Sequence, residues 1–193
     1  ELENKETEEL KHNINRDQVV LLLGGLSISR YHQDFDKFLL FDQVFGGGVL
    51  GSMNSLLFKL REQTGLFYSI AGSLLAMTDK QPGIALVKTL VSLDRLKEAR
   101  KAIKNTIDMA PDMLTKQDLE QSNTAVANSL INNFASNRGI ASSFIFLERY
   151  GLAPDYFDNR AEQLRQISQK DVQQAVKKVL NTQQMCVLEV GRV

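Results

Sequence analysis

The chain has 193 residues, 43% of them hydrophobic and 24% charged, a size for one large domain or two small ones and a composition that argues against disorder. Its 23 Lys and Arg offset 23 Asp and Glu, so the basic excess that nucleic-acid binding needs is missing. No apolar run is long enough to make a transmembrane segment, and the charged opening "ELENKETEELKHNINRDQ" lacks the apolar core of a signal peptide.

The sequence does not begin with Met, so it is read as an excised piece of something longer, and the missing signal leaves the compartment open. The single cysteine, Cys186, rules out an internal disulfide, and its apolar setting "QMCVLEV" predicts a buried, inert thiol.

Residues 1–17 read as a linker or leading edge arriving from a preceding domain, and 18–193 as a single α+β domain. "QVVLLLGGLSI" (18–28) is a near-continuous apolar run, which predicts a strand covered on both faces or nearly so. From 33 to 45 the period changes: Phe35, Phe38, Leu39, Asp42 and Phe45 fall at three- and four-residue spacing and predict a helix, stopped by Gly46, Gly47 and Gly48. A second helix is expected from Ser52 to Gln63 with Met53, Leu56, Leu57 and Leu60 inward, followed by strands in "GLFYSIAGSLLAMT" and "GIALVKTLVS". The link "DKQPG" between them has the turn chemistry of an antiparallel pair.

Asp94 is a candidate N-cap for a helix carrying Leu96, Ala99, Ile103 and Ile107 and ended by Pro111. Thr115 and Asp118 open another in capping-box style, with Leu119, Val126, Leu130 and Phe134 inside. "SNRG" breaks it, "IASSFIFLERY" resumes helix, and Gly151 closes it. Pro154 and Asp155 start a further helix, and Ser168 with Asp171 caps the last, which runs through Val172, Val176 and Val179 to Asn181. "QMCVLEV" is the final strand. Strands and helices cluster instead of alternating, which predicts a two-layer α+β sandwich of one mostly antiparallel sheet against several helices.

Chemistry-bearing patterns are few. His12 and His32 have no metal-ligand spacing, and neither a catalytic triad nor a Cys-His pair can be assembled. The three glycines follow a helix, so they suit helix termination and close packing better than a phosphate cradle. Asp108, Asp112, Asp118 and Glu120 read as solvated helix-end carboxylates, and Lys97, Arg100, Lys101 and Lys104 as a solvated basic face. In "LREQTGLFYSI" (60–70), Arg61 suits a helix C-terminus and Tyr68 the start of a strand.

That same segment resembles the arginine–tyrosine motif of the pitrilysin/insulinase family of zinc metallopeptidases, Leu-Arg-Glu-x-x-Gly-Leu-x-Tyr-Ser followed by an apolar residue. Every fixed position from Leu60 to Ile70 is present. The glycine run, "LTKQDLEQSNTAVANSLI" with "LERYG", and "ISQKDVQQAVKKVLNTQQMCVLEVG" fall where that family's C-terminal, non-zinc (inactive) domain has similar segments. One departure is Ser55-Leu56-Leu57 in place of Ser-Arg-Leu after the glycines. The family's His-x-x-Glu-His motif is absent from this chain.

The resemblance implies the catalytically silent half of such a peptidase, or a partner subunit whose own first half has lost the motif. No cofactor is expected in this chain and zinc is expected in the partner half, so the chain alone is predicted inactive. Partners would be the zinc-bearing domain and a peptide or unfolded polypeptide, in a dimer, with no nucleic acid. In the family, zinc and its glutamate activate the water. Arg61 would then bind substrate, and Tyr68 would bind it and stabilise the transition state. A non-proteolytic structural or assembly subunit of the same fold is the alternative, and a free-standing peptide-binding module a third reading. A periplasmic or secreted bacterial setting goes with the resemblance.

Overall fold

A computed structural model describes residues 7–48 and 53–193. In chain order they form strands β1 (Glu9–Asn13) and β2 (Gln18–Leu26), helices α1 (Phe35–Phe45) and α2 (Leu56–Thr64), and strands β3 (Ser69–Ala76) and β4 (Ile84–Ser92). Five helices follow: α3 (Leu96–Met113), α4 (Lys116–Asn133), α5 (Asn137–Tyr150), α6 (Arg160–Arg165) and α7 (Gln169–Lys177). Strand β5 (Cys186–Gly191) comes last. The sheet runs β1-β5-β2-β4-β3, antiparallel except where β1 lies parallel to β5. This is the expected two-layer α+β sandwich.

Burial alternates along β2. Val19, Leu21 and Leu23 are buried, with Val87 and Val91 of β4 on the same side. They pack against Phe38, Phe41 and Phe45 of α1, Leu57 of α2, Ile103 and Ile107 of α3, and Val172 and Val176 of α7. The other face is apolar but only half-buried: Val20, Leu22, Leu86, Leu90 and Leu188 surround an exposed Lys88. The expectation that 18–28 is covered on both faces is corrected, because the helices pack on one side of the sheet alone.

Two carboxylates explain how the sheet is held. Asp42, on the inward face of α1, accepts the Leu74 N–H at 2.6 Å and the Ser73 hydroxyl at 3.0 Å. It thereby satisfies a buried main-chain N–H where the register of β3 against β4 shifts. Burial pushes this carboxyl above its ordinary range, against those two bonds. Close approach makes it possible: a Cβ on Gly46 would stand 1.8 Å from the Gly72 carbonyl oxygen, so the end of α1 rests on β3 only because residue 46 is glycine. Next to the opposite edge, on β5, Glu189, 4% exposed, is met by Lys11 of β1 at 3.3 Å and by Arg100 of α3 at 3.4 Å; Arg100 also pairs with Glu9. Arg100 is therefore a strand-docking residue. Lys97 and Lys101 keep the solvated character expected of that face.

Other expectations shift in detail. The start of α2 moves to Leu56, capped by Ser55; Ser52 lies outside the described residues, and Met53 is 73% exposed instead of inward. Asp94 sits in a 3₁₀ turn (Leu93–Arg95), so it is not the cap of α3. Pro111 lies inside the last turn of α3 and does not end it, and the helix runs on to Met113. "SNRG" starts a helix as well as separating two: Ser136 accepts the Gly139 N–H and caps α5, while Phe134 beside it is 44% exposed. Pro154 and Asp155 open tandem turns, with main-chain bonds Tyr156 to Ala153 and Asp158 to Asp155, and helix resumes only at Arg160. Helix α7 stops at Lys177, and Asn181 caps a separate 3₁₀ turn.

Cys186 is exposed, because the register of β5 points Val187 and Glu189 inward. The capping box of Thr115 with Asp118, the Ser168 cap and the Gly151 stop are as expected. In the link between β3 and β4, Asp79 accepts from Arg149 and from the Tyr150 hydroxyl at 2.7 Å, tying that turn to the end of α5. These bonds hold the Asp79 carboxyl at about 2.

Candidate functional site

Helix α2 ends on Gly65, whose N–H bonds the Arg61 carbonyl at 2.9 Å from the left-handed conformation, φ 60°. Nothing lies within 4 Å of a Cβ there, so it is φ that calls for glycine. Leu66 and Phe67 then drop into the core, at 6% and 5% exposure, and pin the turn from beneath. Tyr68 emerges beside β3, where its N–H donates to the Leu90 carbonyl at 3.0 Å. Its own carbonyl accepts from Arg61 Nε at 3.3 Å.

Arg61 and Tyr68, seven positions apart, are thus brought into direct contact. The Tyr68 main chain is fastened at both N–H and C=O, yet its side chain is 75% exposed and its hydroxyl bonds none of the described residues. The Arg61 side chain is 39% exposed, and its Nη1 meets Glu62 at 2.8 Å. The arrangement is a fastened base with an unengaged phenol hydroxyl and a guanidinium that meets a surface glutamate. A guanidinium offers donors in a fixed fork, and a phenol offers a donor that adds no charge.

Among the described residues no group of three or more His, Cys, Asp and Glu side chains is placed to hold a metal ion. His32 Nδ1 accepts the Asp34 N–H at 3.1 Å within a local turn, and His12 lies exposed on the edge strand. These residues do not fit a zinc site. No helix among the described residues is long and apolar enough to cross a membrane.

Sequence reasoning passed over a cavity of about 620 Å³ among α1, α4, α5 and residues 156–160, which includes neither Arg61 nor Tyr68. Its arginines, Arg30, Arg138 and Arg160, come from three separate segments, so no local spacing marks them.

The fold is a single open-faced sheet backed by helices, with Arg61 and Tyr68 joined across a glycine turn. The chain belongs to the peptidase M16 inactive domain family, whose model matches residues 1–126. A peptidase M16 inactive domain from Pseudomonas fluorescens matches with a TM-score of 0.85 at 20% identity, over 97% of this chain and 44% of that one. The periplasmic protease PqqL from Escherichia coli gives 0.76 at 16% identity, over 97% and 21%. A chain of complex III2 from Candida albicans gives 0.75 at 9%, over 96% and 46%. The likeness to these structures is one of fold, and the chain spans less than half the length of each. No curated protein matches it.

Proposed function

We propose that this chain is the substrate-binding, non-catalytic half of a zinc metalloendopeptidase, clamping a peptide against a separate zinc-bearing half. The leading segment joins the unit formed by 18–193, because β1 (Glu9–Asn13) pairs with β5 in the same sheet. The zinc-bearing half would supply the activated water. Arg61 holds peptide carbonyls or a carboxylate in its fork. Its link to Glu62 is a surface ion pair of about 1 kcal/mol or less, which a substrate can displace. The Tyr68 hydroxyl donates to the carbonyl oxygen of the scissile bond as that oxygen becomes an oxyanion.

The carrying observation is the contact of Arg61 Nε with the Tyr68 carbonyl, which fixes both residues at the base and leaves both tips facing outward. Membership of the inactive-domain family supports the silent role, and the half-buried apolar sheet face offers a surface for the second half. A purely structural subunit of the same fold is the rival. It has no use for an exposed tyrosine with an unengaged hydroxyl on a pinned main chain.

The test is Tyr68→Phe in the assembled enzyme. A preplaced oxyanion donor is worth about 10²–10³ in kcat, so kcat should fall by that factor with KM nearly unchanged. Full kcat in this variant would reduce the pair to scaffolding and favour the structural subunit.

A further inference from the structure

We propose that the cavity among α1, α4, α5 and residues 156–160 is a binding site for an amphipathic monocarboxylate, a ligand with one anionic head and an apolar body. At about 620 Å³ it has the size of a small-molecule pocket, commonly about 300–1,000 Å³. Its apolar wall comes from Leu39, Val126, Leu130, Phe146 and Phe157. Three of its lining residues are arginines and none is a carboxylate.

Those arginines differ in a way that selects the ligand. Arg160 is already neutralised, because both of its terminal nitrogens bond Asp36. Arg30 is not: no carboxylate among the described residues pairs with it. Its Nη2 donates to the Tyr156 hydroxyl at 2.7 Å, and its guanidinium carbon lies 4.1 Å from the Phe35 ring centre and 5.0 Å from that of Phe146. Stacking and the phenol hold the fork in place, and one of its five N–H donors is committed. A half-buried cation against aromatic rings, with no counter-ion, gains most from an anion that arrives with its own apolar body. A planar carboxylate can take two of the remaining donors at once. Arg138, exposed on the first turn of α5 and also unpaired among the described residues, adds charge of the same sign.

The experiment is calorimetric titration of the chain with decanoate, decanol and decyl phosphate at pH 7.5, below micelle-forming concentrations. Decanoate should bind one saturable site and raise the melting temperature. Decanol should bind at least about tenfold more weakly, the loss of one charge-assisted contact. Arg30→Ala should weaken decanoate by a similar factor and leave decanol unchanged, and Arg138→Glu should weaken decanoate a few-fold. Absence of saturable decanoate binding, decanol binding as tightly as decanoate, or decyl phosphate binding more tightly than decanoate would overturn the proposal. If Arg30→Ala does not fold, Arg138→Glu decides alone, since the residue is exposed: unchanged affinity there overturns the proposal too.

Discussion

Arg160 and Arg61 are the same side chain in two kinds of region. Arg160, at the start of α6, is 4% exposed, forks onto Asp36 and lies over the Tyr156 ring. Burial would lower its proton affinity, but the bond to Asp36 and that carboxylate's charge outweigh it, so its pKa lies above the usual value. Arg61 is partly exposed and spends one donor on a main-chain carbonyl and another on a surface glutamate. The first region is closed, with its polar groups matched to one another, and it joins helix to helix. The second is closed at its base and open at its tip. Polar groups that complete one another close the first region, whereas in the second the Tyr68 hydroxyl bonds none of the described residues and the Arg61 fork meets only a carbonyl and a surface glutamate.

The sharpest way to break the contrast is on the closed side. Asp36→Ala should cost about 3 kcal/mol in urea unfolding, because it strands a buried guanidinium. Adding Arg160→Met should recover part of that loss. A cost near that of an ordinary surface substitution would mean that Arg160 is not matched in the way described. Next comes Asp42→Ala, expected to cost about 2 kcal/mol by leaving the buried Leu74 N–H unpaired, with Asp42→Asn costing less.

A pH series sharpens the picture further, because two aspartates should act in opposite directions. The Asp42 carboxyl lies above its usual value of 3.8 in the fold, so its contribution to stability is full below that value and is lost as pH rises through the folded pKa. Asp79, held at about 2, contributes stability above the unfolded carboxylate value that is lost as pH falls toward 2. Urea midpoints across pH should therefore show the decline above the carboxylate range flattened by Asp42→Asn, and the acid decline flattened by Asp79→Asn.

The smallest effects belong to the open side. Arg61→Ala and Tyr68→Phe should each change stability by no more than about 1 kcal/mol in thermal melts. In the assembled enzyme Arg61→Ala should raise KM, since a guanidinium holding the peptide acts in ground and transition states alike. Intact kinetics with a lowered melting temperature would reverse the assignment of the two regions.

The sequence revealed most where the cause is local. Thr115 reaches Asp118 and Ser168 reaches Asp171 within one turn, Gly65 and Gly151 stop helices by φ alone, and both outcomes can be read from a few neighbouring residues. The meeting of Arg61 with Tyr68 was legible for the same reason, since only a glycine turn separates them. Signals decided at a distance were lost. Whether Cys186 or Val187 faces inward depends on register against β2, and the inward Glu189 makes sense only once Lys11 and Arg100 have come to it. Asp42 looked like an interruption in an apolar stripe because its reason, the Leu74 N–H, is on another element. Arg30 stacks on nearby Phe35, but the Phe146 ring and the Tyr156 hydroxyl that complete its setting lie more than a hundred positions further along the chain.

The position of β5 also governs the order in which the protein can be made. It lies between β1 and β2, pairing Glu9 with Val187 and Gly24 with Cys186. As the chain leaves the ribosome, β2, β3 and β4 can pair soon after they emerge, and the helices need only nearby residues. The first strand must wait, unpartnered, for a segment nearly the whole chain later. Contacts of such separation are slow to form, and unpaired strand edges invite association with other chains. When residues 186–191 appear they slot between two waiting strands and satisfy both at once. A nascent chain halted before Cys186 would instead present two open edges to its surroundings, which makes that stretch of synthesis the interval in which a chaperone has most to protect.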